Sequence, residues 1–257
     1  MRFPSFRLST SLVMLLLLLP AAAMAQAPTR SYAVLSLVGD AIHLYTVRPE
    51  VGTHVPGESR HVLPIKDTVF DTAALAALEA SIKQVQPNAK TVLLMSQDTG
   101  LYEAQNAMFE APAAHQADRD YLIGLLKERA VSHLLLVTKQ RDNAHFKLTN
   151  GVAGTGQLEG LGFYIDDTTE FRNTRSRTAT RGMVGPFAYI RIRLLDAATL
   201  ANLGEVKAAK SEIITNASIK MNAMDLWASL DSAEKVARIK ALLDAAVREA
   251  AAPLLGE

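Results

Sequence analysis

Apolar residues in the first half of the chain occur in short runs that predict strands alternating with helices. Residues 32–38 and 41–47 are apolar runs of strand length. The glycine-first pair Gly39-Asp40 between them predicts a tight hairpin turn. Residues 48–67 are rich in proline and glycine and are predicted to form a loop.

The next part of the chain predicts two helices, each followed by a buried strand. Asp71 is expected to be the N-cap of the first helix, and Pro87 is expected to end it. The apolar residues of this helix recur every three or four positions and so share one face: Leu75, Leu78, Ile82 and Val85. Asp118 is expected to cap the second helix, and the apolar strands are predicted at residues 91–96 and 133–138.

The second half of the chain is predicted to be mainly extended and to end in a long helix. The extended segments are residues 145–149, 157–165, 187–195 and 205–215. In the third of these, apolar residues alternate with Arg191 and Arg193, so the arginine face is expected to meet water. Asp231 and Glu234 resemble a capping box that opens the last helix, which Pro253 is expected to end.

This order of elements predicts one α/β domain over residues 26–257, with a mixed sheet flanked by helices and a long C-terminal helix. Within that domain, a loop insertion is expected near residues 150–186. The sequence of the domain shows no internal repeat and no low-complexity segment, so neither a solenoid nor a disordered chain is indicated.

The first 25 residues have the three parts of a secretory signal peptide. Arg2 and Arg7 precede an apolar run at residues 12–19, and Ala23-Met24-Ala25 matches the pattern that a signal peptidase reads. The alternative is a retained membrane anchor, but the run is much shorter than the roughly 20 residues needed to span a membrane. We therefore expect cleavage after Ala25 and export to a bacterial periplasm.

Composition narrows the classes of protein further. The sequence contains no cysteine, so disulfide bonds and a lipidated cysteine are excluded. The expected signal peptide holds two of the 27 basic residues and none of the 26 acidic ones, so the exported chain is close to neutral. A near-neutral chain argues against a general nucleic-acid binder. No later segment is long and apolar enough to predict a transmembrane helix after cleavage.

A helix that leads into an apolar strand at residues 121–137, and a strand that ends in Asp196-Ala197, resemble parts of a known domain. This is the α/β domain in the N-terminal part of TolB and in CsgG-like envelope proteins. The chain has Ala130-Val131-Ser132-His133 where that family usually has Gly-Ala-Asp, and residues 199–205 form a longer turn than the family's Thr-Gly-Glu. The resemblance implies the same fold over most of the exported chain. It implies no catalytic residue, because the family has none in common.

The densest charged feature is a set of arginines in and after the expected loop insertion: Arg172, Arg175, Arg177, Arg181, Arg191 and Arg193. The planar guanidinium group binds carboxylates and phosphates through two parallel hydrogen bonds. Alternatively, Asp166, Asp167 and Glu170 are local counter-charges of a solvated segment. The preferred hypothesis is a non-enzymatic periplasmic protein that uses these arginines to bind an envelope protein, or an anionic component such as peptidoglycan or lipid phosphate.

No motif in the sequence predicts a cofactor, a metal site or a catalytic site. The run of Asp166 to Glu170 lacks the ligand spacing of a calcium loop, and the glycines between residues 151 and 162 lack both nucleotide-loop patterns. Ser232 to Lys235 spell Ser-x-x-Lys without the partner motifs of penicillin-binding enzymes, and the six histidines lack zinc spacing. An envelope hydrolase whose site is assembled from distant residues, and a small-ligand-binding protein, remain alternatives.

Overall fold

The computed structural model describes residues 30–48, 59–172, 179–215 and 222–256, so the predicted signal peptide lies outside the described residues. The strands of this part are β1 Ser31–Leu37, β2 Ala41–Val47, β3 Ser59–Pro64, β4 Lys90–Leu94, β5 His133–Lys139, β6 Arg141–Asn143, β7 Phe146–Leu148, β8 Gly151–Ala153, β9 Gln157–Arg172, β10 Ala179–Asp196, β11 Asn202–Ser211 and β12 Ile214–Thr215. The helices are α1 Val69–Val85, α2 Thr99–Ala104, α3 Ala107–Glu110, α4 Gln116–Glu128, α5 Ala223–Ser229 and α6 Ser232–Leu255, with a 3₁₀ turn at Pro112–His115. The large mixed sheet, its flanking helices and the long α6 confirm the predicted α/β domain.

The sheet is organised around β10, an 18-residue strand that pairs with neighbours along both of its edges. On one edge β10 pairs antiparallel with β9 along residues 179–189 and then with β5 along residues 190–196. On the opposite edge it pairs with β11 along residues 187–195. Because β9 and β5 share one edge of β10, they lie end to end as one column of the sheet. β2 and β1 form the next column, and β3 and β4 lie outside it.

The junction between β1 and β2 is an in-line step within one column, so the hairpin predicted from Gly39-Asp40 is wrong. β1 is parallel to β5 and β2 is parallel to β9, while β10 is antiparallel to both β5 and β9. β1 and β2 therefore run in the same direction. The step is held by Asp71 of α1, whose Oδ1 accepts bonds from Val38 N at 3.0 Å and from Gly39 N at 3.2 Å. A Cβ atom on Gly39 would lie 2.4 Å from Asp71 Oδ2, so the close approach of α1 requires glycine there.

Both faces of the sheet are covered by other elements. α1 and α6 pack against one face, where Leu78, Leu243 and Val247 are fully buried. On the other face α2 and α4 cover the part around β1 and β5, and the β7–β8 hairpin covers the part around β9 and β10. Full burial of one such aliphatic side chain stabilises the fold by about 1.5–3 kcal/mol, so these layers are a major source of stability. In the described ranges, no helix is long and apolar enough to cross a membrane.

Two segments expected to be loops contain strands. β3 lies within residues 48–67 and pairs antiparallel with β2. Much of the expected loop insertion at residues 150–186 is occupied by β9 and β10, which pair with each other, so that prediction is wrong. A glycine-rich sequence predicted a loop, but Gly162 lies inside β9 where β2 passes very close. A Cβ atom there would lie 2.0 Å from the carbonyl oxygen of His43, so this glycine permits close packing of two strands.

Two of the three predicted helix starts are displaced. The first residue of α1 follows Thr68, so Asp71 is not its N-cap and its side chain instead holds the β1–β2 step. α4 begins at Gln116, which places Asp118 in the first turn and not at the cap. The prediction for α6 is confirmed, because Asp231 is its N-cap and its Oδ1 accepts a 2.7 Å bond from Glu234 N.

The end of α6 also differs from the prediction, because Pro253 lies inside the helix, which continues to Leu255. A proline in the last turn removes only one backbone hydrogen bond of the helix. Leu254 and Leu255 are buried, and Gln86 Nε2 donates a 3.2 Å bond to the Leu255 carbonyl oxygen. These contacts hold the last turn of α6 against the end of α1.

Candidate anion-binding pocket

The predicted arginines are divided between the two ends of the β9–β10 pair. Arg175 and Arg177 lie outside the described residues, and Arg172 is the last residue of β9. Arg181 is exposed near the start of β10, where its Nε donates a 2.8 Å bond to the carbonyl oxygen of Asp167.

Arg191 and Arg193 lie at the other end of β10, roughly 33–40 Å from Arg181 at about 3.3 Å per residue of strand. They line a pocket of about 300 Å³. Its walls come from α3, the 3₁₀ turn, α4, β10, β11 and the turn between those strands: Phe109, Glu110, Pro112, Arg119, Arg191, Arg193, Leu200, Asn202 and Glu205. The single cluster of six arginines is therefore not formed, but two of the six contribute to one site.

Arg193 is the fixed part of this pocket. It is 2% exposed, although its strand face was predicted to meet water. Its Nε donates a 2.9 Å bond to Glu205 Oε2, and its Nη1 donates a 3.0 Å bond to Asn106 Oδ1. The guanidinium carbon lies 4.7 Å from the ring centroid of Phe109. Burial, and secondarily the neighbouring Arg191, lower the pKa of Arg193, so Glu205 is needed to compensate its charge.

Arg191 is held on one side and loosely paired on the other. Its Nε and Nη2 donate bonds of 3.0 Å and 2.7 Å to Gln140 Oε1, and its Nε lies 3.5 Å from Glu205 Oε1. Its Nη1 lies 3.7 Å from Glu110 Oε1, and the Glu110 side chain is 66% exposed. A charge-assisted hydrogen bond is normally 2.7–2.9 Å long, so the contact with Glu110 is a weak ion pair.

Arg119 of α4 completes the set of guanidinium groups, and sequence reasoning missed it. Its Nη1 donates a 3.2 Å bond to the Met108 carbonyl oxygen, and its Nη2 donates a 3.1 Å bond to the Thr199 carbonyl oxygen. In residues 30–48, 59–172, 179–215 and 222–256, Arg119 forms no ion pair within 4.0 Å. In the sequence it stands between Asp118 and Asp120, a pattern typical of a solvated helix face.

The turn between β10 and β11 supplies the carbonyl group that holds Arg119. Asp196 Oδ1 accepts bonds from Thr199 Oγ1 at 2.8 Å and from Thr199 N at 2.9 Å, and the hydroxyl bond is the main reason why the pKa of Asp196 is lowered. Leu200 follows with φ of 54°, in the left-handed region that side chains disfavour. Leu200 is buried beside the pocket, and its packing maintains this backbone conformation.

The acidic residues considered as metal ligands are used inside the fold. Asp166 Oδ1 accepts bonds from Thr168 N and Thr168 Oγ1, and Asp166 Oδ2 accepts a 2.6 Å bond from Thr169 Oγ1. Asp167 Oδ1 accepts a 2.6 Å bond from Ala223 N at the start of α5. In the described part of the chain, no group of three or more histidine, aspartate or glutamate side chains is arranged to hold a metal ion.

Two histidines have defined environments. His43 is 3% exposed, its Nδ1 accepts a 3.0 Å bond from Arg60 Nε, and its buried Nε2 has no partner among the described residues. Burial, followed by the charges of Arg60 and Lys139, lowers the pKa of His43 to about 4. His133 Nδ1 lies 2.7 Å from Ser132 Oγ, which also contacts the backbone of Ser31.

The Ser132–His133 contact is best explained as a structural link between neighbouring strands. Ser132 Oγ donates to the Ser31 carbonyl oxygen at 3.0 Å and accepts from Ser31 N at 3.0 Å, so the hydroxyl joins the start of β5 to the start of β1. Asp196 is paired with His133 in the sheet register, but its Oδ1 closes the β10–β11 turn. A serine nucleophile needs a histidine oriented by a third group, and these contacts do not supply that arrangement.

No family model matches the chain, and no curated protein matches it. Among solved structures, the crystal structure of a Xanthomonas campestris protein of the DUF330 family is similar over 88% of this chain and 81% of that protein, with 9% sequence identity and a TM-score of 0.33. A likeness at that TM-score carries no conclusion about the fold or the function of this chain. The inference about function therefore rests on the chemistry of the pocket.

Proposed function

We propose that this protein is a non-enzymatic periplasmic protein that binds an anionic envelope component, or the anionic group of an envelope partner, in the pocket between α3, α4, β10 and β11. Three guanidinium groups and two carboxylates line this pocket, so positive charge is in excess. Guanidinium groups are the donors that proteins use most often for planar recognition of carboxylates and phosphates.

The observation that carries the proposal is the state of Arg119. Arg193 and Arg191 already share Glu205, whereas Arg119 donates only to the backbone carbonyl groups of Met108 and Thr199. Two carbonyl oxygens orient a guanidinium group without neutralising it. Arg119 therefore presents an oriented, uncompensated charge at the wall of a concave site, which is the arrangement expected of an anion-binding group.

The periplasmic location is supported by the sequence pattern of the first 25 residues. Fractionation of cells that express the full chain tests it, since export with cleavage after Ala25 predicts a periplasmic protein whose first residue is Gln26. Detection of the chain in the cytoplasmic fraction with Met1 retained would contradict this part of the proposal and leave the pocket chemistry unaffected.

An NMR titration tests the binding proposal directly, with acetate and inorganic phosphate as probes. The side-chain Nε–Hε signals of Arg119 and Arg191 are expected to shift with added anion, and the shifts are expected to weaken with salt because the groups are partly solvated. Arg248 is the internal control, because it lies on the exposed side of α6 paired with Asp244. Replacement of Arg119 by glutamine should remove the Arg191 response at low anion concentration. In the unmodified protein, equal shifts of Arg119, Arg191 and Arg248 would refute the site.

A further inference from the structure

We infer that the pocket binds a single carboxylate group attached to an apolar body, and that Glu110 occupies the place of this carboxylate in the unliganded protein. This inference rests on the proposed function and specifies the class of ligand. It follows from three features: the charge balance of the pocket, its apolar wall, and the loose contact between Glu110 and Arg191.

The charge balance favours a monoanion. Glu205 stays bound when a ligand enters, because it compensates the buried Arg193 through a 2.9 Å bond. Loss of a partner from a buried charge is strongly unfavourable, so a ligand does not displace Glu205. That leaves Arg191 and Arg119 for the ligand, with the Glu205 carboxylate close by. The lining carries three guanidinium groups and two carboxylates, a net charge of +1, which a single carboxylate neutralises and a doubly charged phosphate exceeds.

The size and lining of the pocket favour a small amphipathic acid. Its volume of about 300 Å³ lies at the lower end of the range for ligand pockets, which suits one amino-acid residue or a short organic acid. Phe109, Pro112 and Leu200 supply apolar surface in the same pocket as the arginines. An alkyl or aromatic group can bury itself against this surface while the carboxylate binds the guanidinium groups.

Glu110 has the properties of a displaceable group. Its carboxylate lies 3.7 Å from Arg191 Nη1, beyond hydrogen-bond length, and its side chain is 66% exposed at the end of α3. An exposed ion pair of this kind contributes little, so its loss costs little when a ligand binds. Glu110 forms no ion pair with Arg119 within 4.0 Å. A ligand carboxylate that takes the place of Glu110 beside Arg191 can also bind Arg119, because both arginines line the same pocket.

Calorimetric titration of the purified protein tests the inference with three probes of equal chain length: hexanoate, hexyl phosphate and hexanamide. Hexanoate is expected to bind best and hexanamide not measurably. A tripeptide that ends in phenylalanine, with a free or an amidated C-terminus, then distinguishes a peptide chain end from a free small acid. Tighter binding of the free peptide than of hexanoate identifies the chain end as the source, and the reverse order identifies the small acid.

Two variants test the roles of the exposed Glu110 and the partly exposed Arg119, neither of which lies in the core. Glu110→Gln removes the competing carboxylate and is expected to tighten hexanoate binding about threefold. Arg119→Gln is expected to weaken it roughly tenfold, because a charge-assisted hydrogen bond is lost. Arg248→Gln is the matched control and should leave binding unchanged.

The possible failures are distinguishable from one another. Tighter binding of hexyl phosphate than of hexanoate, or unchanged affinity in Glu110→Gln, overturns this inference and leaves an anion site in place. If hexanoate, hexyl phosphate and inorganic phosphate all fail to bind, both the inference and the proposed function are overturned.

Discussion

Replacement of Asp71 tests how the step between β1 and β2 is held, because this carboxylate is the acceptor for four donors. Asp71 is 3% exposed, and its Oδ1 accepts bonds from Ser36 Oγ at 2.6 Å, Val38 N at 3.0 Å and Gly39 N at 3.2 Å. Its Oδ2 accepts a 2.6 Å bond from the Tyr102 hydroxyl group. The residue therefore joins β1, the step, α1 and α2 at one point.

Asp71→Ala leaves two backbone N–H groups without an acceptor, whereas the two hydroxyl groups can rotate toward other partners. Each buried donor without an acceptor costs about 1–3 kcal/mol, so we expect a loss of roughly 3–5 kcal/mol in the free energy of unfolding. Asp71→Asn keeps an oxygen for the donors from β1 and the step. Its amide can donate to the Tyr102 hydroxyl, which then donates to the Ser96 carbonyl oxygen, now 3.2 Å away. We expect that variant to lose only about 1 kcal/mol.

Urea denaturation followed by circular dichroism measures these differences. Ser81→Ala is the matched control on the same helix, since it removes one buried hydroxyl that donates a 2.9 Å bond to the Ala77 carbonyl oxygen. That control should cost about 0.5–1.5 kcal/mol. Equal losses for Asp71→Ala and Asp71→Asn would refute the reasoning, because they would mean that the negative charge, and not the acceptor geometry, holds the step.

Three further predictions concern titration, strand packing and the arginines at the far end of β10. His43 has a pKa of about 4 in the folded protein against 6.5 in the unfolded chain, so the unfolded state binds the proton better and stability falls as pH drops from 6.5 toward 4. The total loss is about 3 kcal/mol, and His43→Gln should show a smaller loss over this range in urea melts at successive pH values. Gly162→Ala should lower the free energy of unfolding by several kcal/mol, since the new Cβ would lie 2.0 Å from a backbone oxygen. Gly124→Ala on α4, where nothing lies within 4 Å, should raise it by about 0.5–1 kcal/mol. Thermal melts test whether the two substitutions shift the melting temperature in opposite directions. Changing Arg172, Arg175, Arg177 and Arg181 together to alanine should leave hexanoate affinity unchanged in calorimetry, and a loss would show that the far end of the strand pair takes part in binding.

Local sequence patterns predicted most strands and helices, because buried apolar residues recur every second position in a strand and every three or four positions in a helix. α6 is the clearest case, with Asp231 as its cap and Ile239, Leu243 and Val247 on its buried face. The step at Gly39 was misread because the reason for glycine is the approach of α1, more than 30 positions away in the sequence. A residue that serves a distant contact gives no local signal of that contact.

The candidate site was only partly predictable for the same reason. Arg191 and Arg193 stood out within a strand of alternating polarity, but their face was assigned to water because the helices that cover it come from another part of the chain. Arg119 could not be distinguished from other charged residues of an amphipathic helix. The location in the periplasm and the resemblance to the TolB and CsgG domain stay predictions.

The gap between the end of β5 and the start of β9, which lie end to end beside β10, explains why one side of the pocket is fixed and the other can change its contacts. Where β5 ends and its column is interrupted before β9, the backbone of Lys139 is bound by the α2–α3 segment: Lys139 N donates to Gln105 Oε1 at 2.7 Å, and Asn106 Nδ2 donates to the Lys139 carbonyl oxygen at 2.8 Å. Asn106 Oδ1 then accepts from Arg193 Nη1 at 3.0 Å, so the same side chain that closes the break also orients the buried arginine. Glu110 has no such link to the sheet beyond its 3.7 Å ion pair with Arg191. The fold therefore preorganises Arg193 and Glu205, and it leaves Glu110, the residue proposed to be displaced, exposed at the end of α3, where its movement costs little.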